Sequence, residues 1–165
     1  MNGQPWDMPR RLGTGWGEAP DSFLLRVPAD AANLAFARAV VAAFAARLPF
    51  TVEEIEDLKL AVSEIVANCI VHAYPAGQPG PVWVAARVVE GALEVMVEDR
   101  GRGIADVDKA REAGYSTVGG EHLGIGFSVA ETYVDELSVE SAPGEGTCVR
   151  MLKRPASQAA GPLAR

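Results

Sequence analysis

Thiols are scarce in this sequence. Its 165 residues hold two cysteines, Cys69 and Cys148, far apart and in no CxxC pair, so neither a zinc site nor a disulfide framework is supported. Both sit among apolar neighbours, which points to buried thiols. No unbroken apolar run reaches the roughly 18 residues of a membrane-spanning helix. The opening stretch "MNGQPWDMPRRLGTGWGEAPD" has neither the apolar segment nor the small-residue cleavage site of a secretory signal, so a cytoplasmic location with no membrane contact is expected. Basic charge is also in deficit: 15 Lys and Arg stand against 22 Asp and Glu, a formal charge of −7. That balance argues against direct nucleic-acid binding, which needs a basic patch, and suits a basic protein partner.

The length fits one domain with a real core. Residues 1–21 mix Gly, Pro, Trp and scattered charge without periodicity and read as a flexible N-terminal extension; residues 155–165, "PASQAAGPLAR", read as a flexible tail. Between them, residues 22–154 hold the domain. "SFLLRVP" (22–28) is a strand, and Asp30 caps the helix "ANLAFARAVVAAFAARL", whose Leu34, Ala37, Val41, Phe44 and Leu48 recur at helical spacing. Thr51 and Glu54 form a capping box for a second helix, expected to run to Tyr74. "PVWVAARVV" and "ALEVMVED" flank Glu90-Gly91 as a hairpin. A short helix over 106–113, a glycine-rich stretch, a helix "SVAETYVDE" and a final hairpin turned by "PGEG" complete the order. These elements predict an α+β, two-layer sandwich: a mixed, mainly antiparallel sheet with helices on one face.

Within the second helix, Glu64, Asn68 and His72 interrupt an apolar run at every fourth residue. Each step of four rotates a helix by only about 40°, so the three share one narrow face. Leu58, Ile65 and Cys69 bound that wedge on one side, Leu60 and Val71 on the other, as if the helix were enclosed and the wedge opened into a cavity. Mutual satisfaction of buried polar groups would explain the pattern equally simply. Yet an enclosed carboxylate is an expensive structural choice, and fits a group kept for proton transfer. Asn68 offers a neutral oxygen suited to Mg²⁺. For His72, packing or hydrogen bonding is the better reading.

Two glycine motifs follow. "VEDRGRGI" puts Asp99 at a strand end before Gly101 and Gly103; a carboxylate there can accept from the amino group of a flat heterocycle. By itself D-x-G-x-G is an ordinary turn. "GGEHLGIGF" then supplies Gly119, Gly120, Gly124 and Gly126 before a helix, where free amides and the helix dipole favour an anion. Neither a dinucleotide-binding G-x-G-x-x-G after a first strand nor a P-loop is present.

Taken in order and spacing, E-x-x-x-N-x-x-x-H-A-Y, D-x-G-x-G-I and G-x-G-F resemble the motifs of the Bergerat-fold (GHKL) ATPases, which include gyrase and the histidine kinases. "LKLAVSEIVANCIVHAYP" and "LGIGFSVAETYVDELSVESAPGEGTCVRM" are similar in detail to the small anti-sigma factors that are also serine-protein kinases, closest to the sporulation type that holds sigma-F and similar to the general-stress type. The resemblance covers residues 23–153. It implies a homodimeric, ATP-dependent kinase that sequesters a sigma factor and phosphorylates a serine on an anti-anti-sigma factor. Glu64 would be the catalytic base and Asn68 the Mg²⁺ ligand. Asp99 would accept from adenine, with His72, Gly101, Gly103, Ile104 and Thr147 around it. Ser116, Thr117, Gly124, Ile125, Gly126 and Phe127 would lie about the nucleotide, and Arg38 at the partner surface.

The resemblance is incomplete in two places. The stretch "YSTVGGEH" lacks the basic residues expected around the phosphates, for which Arg100 and Arg102 are candidate substitutes, and the N-terminal extension is long for so compact a family. Two other readings stand beside the kinase: a binding module that uses nucleotide only to fix its shape, and a histidine-kinase fragment. The latter lacks a separate phosphoacceptor helix, since His72 lies in the ATP motif and His122 in the glycine-rich stretch.

Overall fold

The computed structural model describes residues 8–12, 16, 19–112 and 126–159. Strand β1 (Ser22–Pro28) leads through a single 3-10 turn at Ala31–Asn33, capped by Asp30, into α1 (Leu34–Ala45). Helix α2 (Val52–Asn68) begins at the expected capping box: the Thr51 hydroxyl accepts from the Glu54 N–H, and the Glu54 carboxylate accepts from the Thr51 N–H. The α-helix ends at Asn68, six residues before Tyr74, and the chain continues as a π-helical turn over Cys69–Ala73. Such turns widen a helix and recur at functional sites. After β2 (Pro81–Val89), β3 (Ala92–Asp99) and the short α3 (Val107–Arg111) come α4 (Gly126–Tyr133), β4 (Glu136–Ala142) and β5 (Gly146–Lys153).

The strands form one sheet in the order β1-β2-β3-β5-β4, and every neighbouring pair is antiparallel, where a mixed sheet was expected. The reason lies in the connections. Helices α1 and α2 form an antiparallel pair, so the chain returns to the end of the sheet it left and β2 runs against β1. Helix α4 carries the chain back before β4, which therefore runs in the direction of β3, but β5 is inserted between them. Consequently the ends of β3, β4, α2 and the starts of β5 and α4 all meet at one end of the sheet.

Strand alternation divides the sheet cleanly. Val82, Val84 and Ala86, Leu93, Val95 and Val97, and Val149 and Met151 face the helical layer, where Ala37, Val41, Leu58, Val62, Ile65 and Val66 meet them in one buried core. Ala85, Met96 and Cys148 face the other way and are covered by Leu12 and Trp16. Described residues of the N-terminal stretch thus lie against the sheet, a contact that the expectation of a flexible extension over 1–21 did not contain. At the other terminus, Ala156–Ala159 form one helical turn, α5, within the stretch read as a tail; the Ala156 N–H donates to the second oxygen of Glu54.

Leu58 is 1 % exposed and Leu60 is 48 % exposed, although both were expected beside the polar wedge. Leu58→Ala should therefore lower unfolding free energy by about 2–5 kcal/mol, the usual range for a buried leucine. Leu60→Ala should stay within about 0.5 kcal/mol of the parent. Urea unfolding of the two variants checks the rotation of α2.

Candidate functional site

A cavity of about 420 Å³ opens at the end of the sheet where these elements meet. That volume suits a small organic ligand. Of the residues singled out from sequence, Asn68, His72, Asp99, Gly103, Ile104, Gly126, Phe127 and Thr147 line it. Gly101 is buried behind the wall. Glu64 does not line the cavity: it stands half-buried one helical turn before Asn68. All three wedge residues are half-buried, but only Asn68 and His72 line the cavity, together with Cys69 and Ala73 of the π turn. Arg38 is exposed on α1, away from the cavity wall. Ser116, Thr117, Gly119, Gly120, His122, Gly124 and Ile125 lie outside the described residues.

Asp99 is the most constrained of these groups. It is 3 % exposed, and its Oδ1 accepts from the Gly101 N–H at 2.8 Å and the Thr147 N–H at 3.3 Å. The Cys69 thiol donates a further hydrogen bond to the carboxylate. Both backbone contacts fall on one oxygen, which leaves Oδ2 outside that clamp and able to meet a ligand donor. Burial outweighs these hydrogen bonds and raises the Asp99 carboxyl above its ordinary value. Burial, reinforced by the neighbouring Asp99 charge, also pushes the Cys69 thiol well up, so it remains an S–H donor.

Close backbone approach builds the rest of the wall. The Ala73 carbonyl accepts from the Arg102 N–H at 2.8 Å, and a Cβ added to Gly101 would come within 2.1 Å of that same oxygen. Gly103 adopts φ +70 and rests on the β4 end, where a Cβ would meet the Ala142 oxygen at 1.9 Å. Only glycine permits both contacts. At the start of α4, the place of a Gly126 Cβ lies 2.9–3.3 Å from the Asn68 side-chain atoms, so glycine leaves Asn68 open to the cavity.

Three further residues were not assigned to the site from sequence. The Tyr74 hydroxyl donates to the Pro81 carbonyl at 2.6 Å and accepts from the Arg100 N–H at 2.8 Å, tying the chain after α2 to the start of β2 and the end of β3; burial pushes it up to about 12. The Ser141 hydroxyl accepts from the Ile104 N–H at 2.8 Å and shares a hydrogen bond with Thr147 at 2.9 Å. Cys69 holds Asp99. Tyr74 was visible in H-A-Y, and Ser141 faces Thr147 across the final hairpin, but only the register turns those positions into contacts.

Residues 27–153 match the family model of the histidine kinase-like ATPase domain. The chain belongs to this family. Such a domain binds ATP, and the cavity is where this one has the room and the polar groups to do so. A protein named anti-sigma F factor from Caldanaerobacter subterraneus subsp. tengcongensis is 50 % identical over 122 residues, covering 73 % of this chain and 85 % of that one. Another of the same name, from Pasteuria penetrans, is 44 % identical over 124 residues, covering 74 % and 83 %. A solved structure of the RsbU and RsbW domains of a Mycobacterium tuberculosis protein has a similar fold, with TM-score 0.58, 21 % identity, and coverage of 81 % of this chain and 32 % of that chain. The histidine kinase domain of a blue-light activated kinase from Erythrobacter litoralis gives TM-score 0.53 at 26 % identity, covering 80 % and 63 %. This chain thus spans about a third of the first solved chain and under two thirds of the second.

The glycine contacts make a direct test. Gly101→Ala forces backbone atoms apart at the junction of α2 and β3, so it should destabilise the protein by about 1–3 kcal/mol and weaken ATP binding. Gly144→Ala, in the β4–β5 turn at φ +78 with open space around it, meets only the conformational penalty of about 1–2 kcal/mol and should leave ATP affinity unchanged. Thermal unfolding and ATP titration of both variants separate the two effects.

Proposed function

We propose that this chain is an anti-sigma factor of the sporulation type. It binds and inhibits a sigma factor and uses ATP to phosphorylate a serine on an anti-anti-sigma factor. The observation that carries the reading is the convergence of Asn68, Asp99 and Gly126 on one cavity, in a chain 50 % identical over 122 residues to a protein named anti-sigma F factor. Added phosphate, with nearly two negative charges, would keep the anti-anti-sigma protein from displacing the sigma factor. The chain would act in the cytoplasm as a homodimer, with Arg38 exposed on α1 for the protein partners.

Adenine fits the Asp99 end of the cavity. The amino group of the base donates to Oδ2, while Val97, Ile104 and Val149 supply apolar wall and Thr147 backs the ring. Gly124, Ile125 and Gly126, with Ser116 and Thr117, are proposed around the phosphates, and His72 and Phe127 as wall. Asn68 suits Mg²⁺: its amide is half-buried, lines the cavity and is left accessible by Gly126. Among the described residues no group of three His, Cys, Asp or Glu side chains could hold a metal, so the nucleotide and water would complete the coordination. When bound, Mg²⁺ supplies charge neutralisation on the β- and γ-phosphates.

Glu64 is the proposed base. The attacking serine oxygen forms a bond to the γ-phosphorus, the bond from that phosphorus to the bridging oxygen breaks, ADP leaves, and the serine proton passes to the Glu64 carboxylate. The half-buried position of Glu64, beside the cavity rather than in its wall, leaves a protein hydroxyl access from outside. The same position also favours a second reading, a nucleotide-dependent binding module without transfer. With radiolabelled ATP and an anti-anti-sigma substrate, Glu64→Gln should reduce phosphoserine formation by about 10²-fold or more, since a base contributes on that order, while ATP affinity changes little. Undiminished transfer would remove Glu64 from this role, and no transfer by the parent chain would favour the binding module.

Asp99 adds a pH dependence of known sign. Its folded value lies above the unfolded one, so its contribution to folding is fully present below the unfolded value and is lost as pH rises through the folded value. Adenine recognition runs the opposite way, because an ionised carboxylate accepts more strongly from the amino group than a neutral carboxyl. Adenosine, which carries no phosphate to titrate, should bind progressively more weakly as pH falls through a midpoint above 3.8. In Asp99→Asn that dependence should disappear and binding should be weak throughout, as measured by calorimetry across the pH range.

A further inference from the structure

Residues 8–12 and 16 lie across the face of the sheet opposite the helices, and precede the family match that begins at residue 27. Trp16 and Leu12, 1 % and 4 % exposed, cover Ala85, Met96 and Cys148. The Arg87 guanidinium lies 4.4 Å from the centre of the Trp16 ring. Polar contacts fix the strap at the end of β3. Glu98, 1 % exposed, accepts from the Arg10 N–H at 2.6 Å and the Arg11 N–H at 2.9 Å, one on each carboxylate oxygen. The Arg100 guanidinium donates to the Met8 carbonyl, and that of Arg11 reaches the Glu145 and Gly146 carbonyls at 3.5 Å.

Three of these anchors are chain neighbours of groups in the Asp99 clamp. Glu98 precedes Asp99, Arg100 precedes Gly101, and Gly146 precedes Thr147; on the cavity side, Asp99 Oδ1 accepts from Gly101 and Thr147. Consecutive strand residues point to opposite faces, so Glu98 and Asp99 hold the same piece of backbone from its two sides. We propose that the N-terminal strap positions the nucleotide site from behind, with Glu98 as the positioning residue, so that strap docking and nucleotide binding strengthen each other. The inference rests on the reading of Asp99 as the adenine acceptor.

Linkage makes the coupling reciprocal, and the full-length chain tests it from both ends. Saturating ADP should slow trypsin cleavage after Arg10 and Arg11 by about tenfold, a typical coupling. Glu98→Gln, which puts an amide NH2 against one of the two strap N–H groups, should weaken ADP binding by a similar factor and abolish the ADP-dependent part of the protection. A merely structural Glu98 would alter cleavage equally with and without ADP. The wild-type protection measurement needs no variant and stands even if Glu98→Gln folds poorly. Wild-type protein that binds ADP with no change in cleavage at Arg10 and Arg11 overturns the strap inference and leaves the nucleotide reading intact, as does a folded Glu98→Gln variant with wild-type ADP affinity. Absence of ADP binding by the wild type overturns the nucleotide reading itself, and the inference with it.

Discussion

A carboxylate withdrawn from water is tolerated only where donors surround it, and β3 ends in two such carboxylates, Glu98 and Asp99, at 1 % and 3 % exposure. The chain satisfies them with backbone N–H groups on opposite faces of the sheet. On the cavity side these come from Gly101 and Thr147; on the outer side from Arg10 and Arg11. The local arrangement follows from that requirement. The Gly101 N–H reaches Asp99 through a local turn that also brings Gly101 against Ala73, and Gly146, at φ +78, lets β5 begin where a Cβ would lie 2.1 Å from the Asp99 carbonyl.

The antiparallel order of the sheet makes one end of the molecule the place where chemistry gathers. A helix pair between β1 and β2, and the eight-residue α4 before β4, bring the ends of α2, β3 and β4 and the starts of α4 and β5 together. Residues far apart in sequence, such as Asn68, Asp99, Gly126 and Thr147, then share one cavity. The π turn at Cys69–Ala73 refines that placement: it ends the helix late enough for Cys69 to hold Asp99 and for Tyr74 to tie β2 to β3. Rigid backbone contacts, rather than long flexible side chains, shape the described wall, which is a sound way to hold a flat base.

Much of this was legible in the sequence for identifiable reasons. β1 and the Thr51 capping box were recognised because alternation and capping are local signals. The three motifs signalled a nucleotide cavity because their residue types are otherwise poor choices: an asparagine in an apolar helix, a carboxylate closing a β-rich run, and glycine where a helix begins. Other features were not legible. The exposure of Leu60 depends on how α2 is turned against α1 and α4, and the all-antiparallel pairing depends on β5 lying between β3 and β4. The covered outer face did leave a trace, since "VWVAA" in β2 is apolar at positions of both parities, as strands buried on both sides tend to be.

The sequence by itself determined where the elements lie, which family the motifs resemble and which residues are candidates for adenine, metal and proton transfer, because those properties reside in residue type and short spacing. Tertiary structure alone decided that Asn68 and Asp99 line one cavity while Glu64 stands beside it, that Tyr74, Ser141 and Cys69 brace the site, and that residues 8–12 and 16 close the back of the sheet. Each of those outcomes is a contact between positions distant in the chain. No local pattern encodes such a contact, because it comes into being only when strands pair and layers pack.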